Sequence, residues 1–225
     1  MQIVDSISQG RGLYSVHEAA LFSRVSQATL NRWLFGTTHR KALRTPLLDT
    51  ANGKYVSFIE FVEAMAVGEL RRMGISLQKI REAIDTANKA YRIEHPFAHK
   101  SHKTFAIGKD LYITIDGLNP VGLTGSDKFQ TSSKQILEVY MKGLSFGPDN
   151  LASSFTAFAN KTSLITMTPT KLFGEPLVVR CGYSAQTLWN AANEEGSMEA
   201  AARNYGVEEE DVETACLYWN SLKAA

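Results

Sequence analysis

The sequence predicts a protein that is mainly α with small β elements. Serine-capped apolar runs with helical spacing recur towards both ends of the chain, and shorter strand-like runs separate them. The 225 residues suffice for one large domain or two small ones, each with its own core. We expect a winged helix-turn-helix over residues 1–92, a mixed α/β linker region over 93–170 that serves dimerisation or partner contact, and a three-helix domain over 171–225.

Two short helices are predicted within YSVHEAALFSRVSQATLNRWL, residues 14–34. Ser15 is a good N-cap, and Glu18 completes a capping box with it. Ser26 caps the second apolar run, which stops at Gly36, as helices often do. The two runs are separated by only about three or four residues, which is the spacing of a helix-turn-helix.

A hairpin and two longer helices are predicted next. The Asn-Gly pair at 52–53 is a strong hairpin signal, and apolar residues flank it at 47–48 and 55–56. Ser57 and Ser76 then open SFIEFVEAMAVGELRRM and SLQKIREAIDTANKAY, whose apolar residues recur at helical spacing. The expected order is therefore helix, helix, hairpin, helix, helix.

The rest of the chain alternates between strand and helix patterns. Residues 93–103 are polar and basic and contain Pro96, which predicts a linker or a domain edge. TFAIG and DLYITID predict two strands, SKQILEVYMKGL a helix, and TSLITMTP a further strand. The segments SAQTLWNAANEEG, SMEAAARNYG and EEEDVETACLYWNSL predict three helices, the last with an acidic first turn that suits the helix dipole.

Charge is distributed unevenly along the chain. Residues 1–103 hold 15 Lys and Arg against 9 Asp and Glu, whereas residues 104–225 hold 9 against 14. This split indicates a polyanionic partner for the first part and a cationic protein surface for the second. An incidental scatter of surface charge is the alternative.

Several classes of protein are not indicated. The chain has no run of eighteen apolar residues and no secretory signal at its N-terminus, so we expect a cytoplasmic protein without a membrane partner. Cys181 and Cys216 lie far apart, which suggests neither a disulfide framework nor a zinc site. His95, His99 and His102 could face one metal on a helix, but the proline among them disfavours that helix. We therefore expect no catalytic site, metal or cofactor.

The second short helix carries polar residues where a recognition helix meets base edges. Such a helix enters the major groove with its N-terminal positions exposed, and Gln, Asn and Arg side chains pair with purines there. Basic residues after it would form a positive wing that binds phosphate. The predicted DNA-contacting residues are Arg24, Ser26, Gln27, Ala28, Asn31, Arg32, Arg40, Lys41, Arg44 and Lys54. The alternative is a plain helical hairpin whose polar residues face solvent.

Residues 13–85 resemble the DNA-binding region of the MerR-type regulators. The segments YSVHEAA, VSQATLNRWL and KYVSFIEFVEAMAVGELRRMGISLQKIREAI follow the order of that family's winged helix-turn-helix and two supporting helices. The resemblance implies binding of double-stranded operator DNA as a dimer. One departure is that no long helix follows Tyr91, where such dimers have their antiparallel coiled coil; Pro96 breaks the chain instead.

The segment from FGEPLVVRCGYSAQTLWN to the acidic last helix is similar to a small helical family long known only as a domain of unknown function. Proteins with both modules resemble VapB-type antitoxins, and this resemblance covers about residues 13–222. It implies a cognate toxin of the PIN-like ribonuclease class, neutralised by the C-terminal half. The residues predicted to contact it are Trp189, Tyr205, Glu208, Glu209, Tyr218 and Trp219. For the two tryptophans, a place in the helical core is an equal alternative.

The sequence thus predicts a homodimeric repressor and antitoxin of a type II toxin-antitoxin system. The main alternative is a MerR-like transcriptional regulator whose C-terminal half senses a small molecule. A purely structural interaction module without DNA binding is a third class.

Overall fold

The computed structural model describes residues 12–39, 42–44, 46–48, 55–115, 120–125 and 143–223. In this part the protein is mainly α with small β elements, as predicted, and has seven α-helices. The chain divides into two compact units, and the division between them along the sequence falls between residues 152 and 153. The three-part division into 1–92, 93–170 and 171–225 stays a prediction.

The first unit contains four α-helices and most of the strands among its described residues. Its elements are β1 (Gly12–Ser15), α1 (Val16–Ser23), α2 (Gln27–Phe35), β2 (Thr37–His39), β3 (Ala42–Arg44), β4 (Tyr55–Ser57), α3 (Phe58–Arg72), α4 (Leu77–Tyr91), β5 (His102–Ile107), β6 (Asp110–Ile115), β7 (Val121–Gly122) and β8 (Leu144–Phe146).

The second unit combines a small antiparallel sheet with three helices. Its elements are β9 (Ala152–Ala159), β10 (Leu164–Met167), a single 3₁₀ turn (Leu172–Gly174), β11 (Leu177–Val178), α5 (Ala185–Glu195), α6 (Met198–Tyr205) and α7 (Glu209–Lys223). Strand β10 pairs with both β9 and β11. The strand predicted in TSLITMTP and the three C-terminal helices are confirmed.

The predicted N-caps of the first unit are confirmed. The Ser15 hydroxyl accepts from the Glu18 backbone N–H, and the Glu18 carboxylate accepts from the Ser15 N–H at 2.8 Å. A second capping box joins Ser57 and Glu60 at the start of α3. Each box satisfies backbone donors that a helix start otherwise leaves without a partner, so these short sequence signals define where α1 and α3 begin.

The predicted hairpin between residues 47–48 and 55–56 is wrong in its pairing. Strand β4 pairs with β1, with Ser15 opposite Tyr55, so its partner lies about forty residues earlier in the chain. Leu47 and Leu48 instead form a bend, and both of their N–H groups donate to the Trp33 carbonyl. Both leucines are buried. In a strand with one face to solvent, two successive residues point to opposite faces, so one of them would be exposed. The Asn-Gly pair at 52–53 lies outside the described residues.

A short antiparallel hairpin lies instead directly after α2. Strands β2 and β3 pair with Thr37 opposite Arg44. Residues 40 and 41, which connect the two strands, are outside the described part. This hairpin has the chain position expected for a wing.

Residues 93–101 are packed rather than extended as an open linker. Pro96, Phe97 and Ala98 are buried, and the Thr104 hydroxyl donates to the Pro96 carbonyl at 2.9 Å. This basic segment therefore packs through its apolar residues, although its charge and its proline predicted a linker or a domain edge. The two strands predicted after it are confirmed as β5 and β6, whereas the helix predicted over residues 133–144 falls almost wholly outside the described part.

Candidate nucleic-acid interface and partner surface

The turn between α1 and α2 is short and closed by backbone hydrogen bonds. Arg24 takes a left-handed conformation with φ +54°, and its N–H donates to the Leu21 carbonyl. The Val25 N–H donates to the Ala20 carbonyl at 3.1 Å. Ser26 then caps α2 by accepting from the Thr29 N–H. Because every residue of the turn is tied to a neighbouring helix, α2 has a defined direction relative to α1.

The N-terminal end of α2 presents polar side chains to solvent. Gln27, Ala28 and Arg32 are exposed and Asn31 is half-buried, while the opposite face of the helix is buried. The Arg32 side chain lies along the helix, where Nε donates to the Ala28 carbonyl at 3.2 Å and Nη2 to the Thr29 hydroxyl at 3.0 Å. The structure thus brings together the predicted base-contacting residues of this helix on one accessible surface.

Helix α3 fixes the turn from behind. A Cβ added at Gly68 would lie 3.0 Å from Val25 Cγ2, so the turn packs closely on the α3 backbone. Beside this contact, Arg72 Nη1 lies 3.5 Å from the Arg24 carbonyl oxygen, within reach of a weak hydrogen bond. The Arg72 guanidinium is itself held by Glu69 at 2.6 Å. Sequence reasoning missed these residues, because they lie more than forty positions from the turn.

The segment after the β2–β3 hairpin is anchored by a residue that the sequence did not single out. Arg81 on α4 donates from Nη1 to the Pro46 carbonyl at 2.6 Å. Helix α4 is joined in turn to β6, since Lys79 Nζ contacts Asp110 Oδ1 at 2.5 Å. Arg81 therefore joins the segment that follows β3 to α4. The predicted phosphate contacts Arg40, Lys41 and Lys54 fall outside the described residues, and Arg44 ends β3.

The predicted partner contacts on α5 to α7 divide into buried and accessible rings. Tyr218 is 2% and Trp219 6% exposed, and both pack in the core of the second unit. Trp189 is half-buried, donates from Nε1 to Asn220 at 3.1 Å, and lies under the ammonium group of Lys223. Tyr205 is exposed and has an edge-to-face contact with Tyr183. Solvent thus reaches Trp189 and Tyr205, whereas Trp219 takes the core position left open as the alternative.

The acidic residues at the start of α7 differ in their exposure and in their contacts. Glu208 and Glu209 are exposed. Asp211 is buried, and its two oxygens accept from Arg180 Nε at 2.9 and 3.0 Å. The same guanidinium lies 3.5 Å from Glu210. The hydrogen bond to Asp211 raises the pKa of Arg180 above its usual value. Glu208 and Glu209, the two acidic residues predicted to contact a partner, are therefore open to one, whereas Asp211 is not.

The cysteines, His95 and the potential metal ligands of the described residues show no arrangement typical of a catalytic or metal site. Burial raises the pKa of the Cys181 and Cys216 thiols, which disfavours the nucleophilic thiolate form. Burial lowers the pKa of His95, but its contact with the Glu63 carboxylate outweighs this and raises that pKa overall. Among the described residues, no three His, Cys, Asp or Glu side chains are grouped closely enough to hold a metal ion.

Over its described length the chain has no helix long and apolar enough to cross a membrane.

The helix-turn-helix part of the chain matches a family model, and most of the chain is similar to a curated protein. Residues 12–84 match a family model described as "Putative DNA-binding HTH domain". Over 214 residues the chain is 25% identical to "Putative antitoxin VapB45" of Mycobacterium tuberculosis, and the alignment covers 87% of this chain and 88% of that protein.

A solved structure has a similar fold. The crystal structure of Rv2018 from Mycobacterium tuberculosis superposes with a TM-score of 0.63 and 19% sequence identity, covering 91% of this chain and 97% of that one. At this identity the likeness concerns the fold alone. The match to the family model shows that the N-terminal part of this chain contains a helix-turn-helix domain.

Proposed function

We propose that this protein is an antitoxin that binds operator DNA, represses its own operon and neutralises a partner toxin. The observation that carries the DNA-binding part is the exposed polar end of α2, held by a serine-capped turn that is packed against α3. The antitoxin part is supported by the likeness to the mycobacterial protein, which extends over most of both chains.

On DNA, α2 would lie in the major groove. Gln27, Asn31 and Arg32 would read base edges, since these side-chain types form paired hydrogen bonds with adenine or guanine. The Ser26 end of the helix favours a phosphate, because its backbone N–H groups and the helix dipole attract anions. The remaining phosphate contacts would come from Arg24, Arg40, Lys41, Arg44 and Lys54.

A MerR-like arrangement on a palindromic operator follows if the protein binds as a homodimer. The order of helix-turn-helix, wing and two supporting helices favours this arrangement. Two copies would then place their α2 helices in successive major grooves, about one helical turn of DNA apart.

The partner would be a PIN-like ribonuclease that contacts the second unit. Residues 153–225 hold nine Asp and Glu against five Lys and Arg, so this unit favours a basic partner surface. A protein that cleaves RNA needs such a surface to bind its substrate. Glu208 and Glu209 at the start of α7 are exposed and could attract such a surface.

The test is rescue of growth and binding of the toxin by the full chain. The product of the neighbouring open reading frame is expressed alone and with the wild-type chain, and growth and association rate are measured. Reversing Glu208 and Glu209 to Lys should slow association, most strongly at low salt, because surface charges mainly accelerate encounter.

Reversal of Glu194 and Glu195 at the end of α5 is the matched control, since it changes the net charge equally. An equal effect of both reversals would point to net charge rather than to the start of α7. Failure of the wild-type chain either to bind the product or to rescue growth would contradict the antitoxin proposal.

A further inference from the structure

A turn in the second unit holds two large apolar residues in a costly backbone conformation. Leu172, Phe173 and Gly174 all have left-handed φ angles, of +44°, +53° and +92°. The turn is closed because the Gly174 N–H donates to the Lys171 carbonyl and the Glu175 N–H to the Leu172 carbonyl. Residues other than glycine, and to a lesser degree asparagine or aspartate, are disfavoured there, since Cβ crowds the backbone. The sequence therefore has Leu and Phe at positions whose backbone conformation favours glycine, asparagine or aspartate.

The same turn exposes its aromatic ring to solvent. Phe173 is 81% exposed, the highest value for a large hydrophobic side chain in the described part of the chain, and Leu172 is 44% exposed. Gly174, Pro169 and Pro176 beside them are buried, whereas Lys171 and Glu175, which flank the turn, are exposed. Strain of this kind persists where the surrounding structure enforces it, and it is often found at functional sites. Because the ring is exposed, it contributes little to the core, and burial does not explain why an aromatic residue lies at this position.

A protein pocket is the surface that such a ring fits. Aromatic side chains buried in a pocket supply much of the affinity of protein interfaces, and a turn fixed before binding loses little conformational freedom on association. DNA is an unsuitable partner here, because the unit that carries the turn has nine acidic against five basic residues. The same unit of a second copy has the same excess of acidic residues, so its charge is not complementary. A basic protein surface with an apolar pocket is the complementary partner.

We infer that Phe173 is the anchor by which the second unit binds its protein partner, a basic RNA-cleaving protein; this rests on the proposed function. This anchor differs from the aromatic residues that the sequence predicted to contact the partner. Trp189 and Tyr205 are held by contacts within the unit, and Trp219 is in its core. Phe173 combines the greatest exposure with a fixed backbone, and it lies beside Leu172 as a second apolar contact.

The test compares Phe173→Asn with wild type and with Leu217→Ala, using the full chain throughout. Asparagine tolerates the left-handed conformation, so the turn should keep its shape and the melting temperature should stay the same or rise. Leu217 is the matched control, because it is 49% exposed but lies on the regular helix α7. The probe is the purified product of the neighbouring open reading frame, and binding kinetics and thermal unfolding are measured for each variant.

Phe173→Asn is expected to weaken binding about tenfold or more, chiefly through faster dissociation, while Leu217→Ala changes it by less than about twofold. Wild-type affinity in Phe173→Asn would overturn the inference and leave the proposed function standing. Equal losses in both variants would also overturn it. Absence of wild-type binding would contradict the partner claim itself, and the inference with it. A change in the chain's own oligomeric state in Phe173→Asn would instead assign the ring to a contact between copies.

Discussion

Replacing Trp219 by alanine is expected to lower the free energy of unfolding by about 3–5 kcal/mol. The ring is 6% exposed and packs against Trp189 with ring centres 6.1 Å apart. Removing it leaves a cavity among the helices of the second unit, and the lost contacts add to the lost burial. Urea unfolding followed by far-ultraviolet circular dichroism measures the change.

Phe173→Ala is the matched control for this result, because it removes an aromatic ring from the same unit at a position that is 81% exposed. Its effect should stay within about 0.5 kcal/mol, as for most surface substitutions. A loss of unfolding free energy in Trp219→Ala as small as that in Phe173→Ala would contradict the core position of Trp219. If the prediction holds, loss of partner binding in Trp219→Ala reports unfolding rather than a lost interface contact.

Replacing Arg32 by alanine is expected to reduce operator affinity by about 1–3 kcal/mol and to relax the preference at one base pair. The exposed guanidinium would exchange its bonds to the Ala28 carbonyl and the Thr29 hydroxyl for a bidentate contact to a base. Because these are local bonds at the surface, stability should change little. Affinity for a set of operators that each carry one altered base pair measures the effect.

Lys54→Ala is the comparison for Arg32→Ala. A phosphate contact carries no sequence information, so this variant should weaken binding to all operators alike and reduce the salt dependence. If Arg32→Ala left both affinity and base preference intact, α2 would not be the recognition helix.

Signals that act over a few residues could be read from the sequence. Each capping box joins a serine to a glutamate three positions later, as in Ser15 with Glu18 and Ser57 with Glu60. The β5–β6 turn at Gly108 is equally local, since φ +61° there suits glycine. Such patterns determine where elements begin and end, and the order of the helices followed from them.

Contacts between distant parts of the chain could not be read in this way. The pairing of β4 with β1 was missed because a local turn signal carries no information on a partner strand forty residues away. For the same reason the contacts of Gly68 with Val25 and of Arg81 with Pro46 were not expected, although they position the candidate DNA-binding site.

Helical spacing also leaves burial uncertain for aromatic residues. The sequence left Trp219 open between an interface and the core, because a wide apolar face can serve either, and the ring is buried. The sequence did not single out Phe173, because one apolar residue in a turn forms no periodic hydrophobic pattern. Its left-handed backbone and exposure emerge only in three dimensions.

Salt dependence of operator binding tests the central claim most directly. Binding of the full chain to the DNA upstream of its own gene is measured between 50 and 200 mM salt, about the range over which phosphate contacts are revealed. Five phosphate contacts per subunit, from Arg24, Arg40, Lys41, Arg44 and Lys54, predict a slope of about −4 to −5 in log affinity against log salt for each subunit bound. Affinity that does not change with salt, or no binding to the upstream DNA, would contradict the assignment of this protein as a DNA-binding antitoxin.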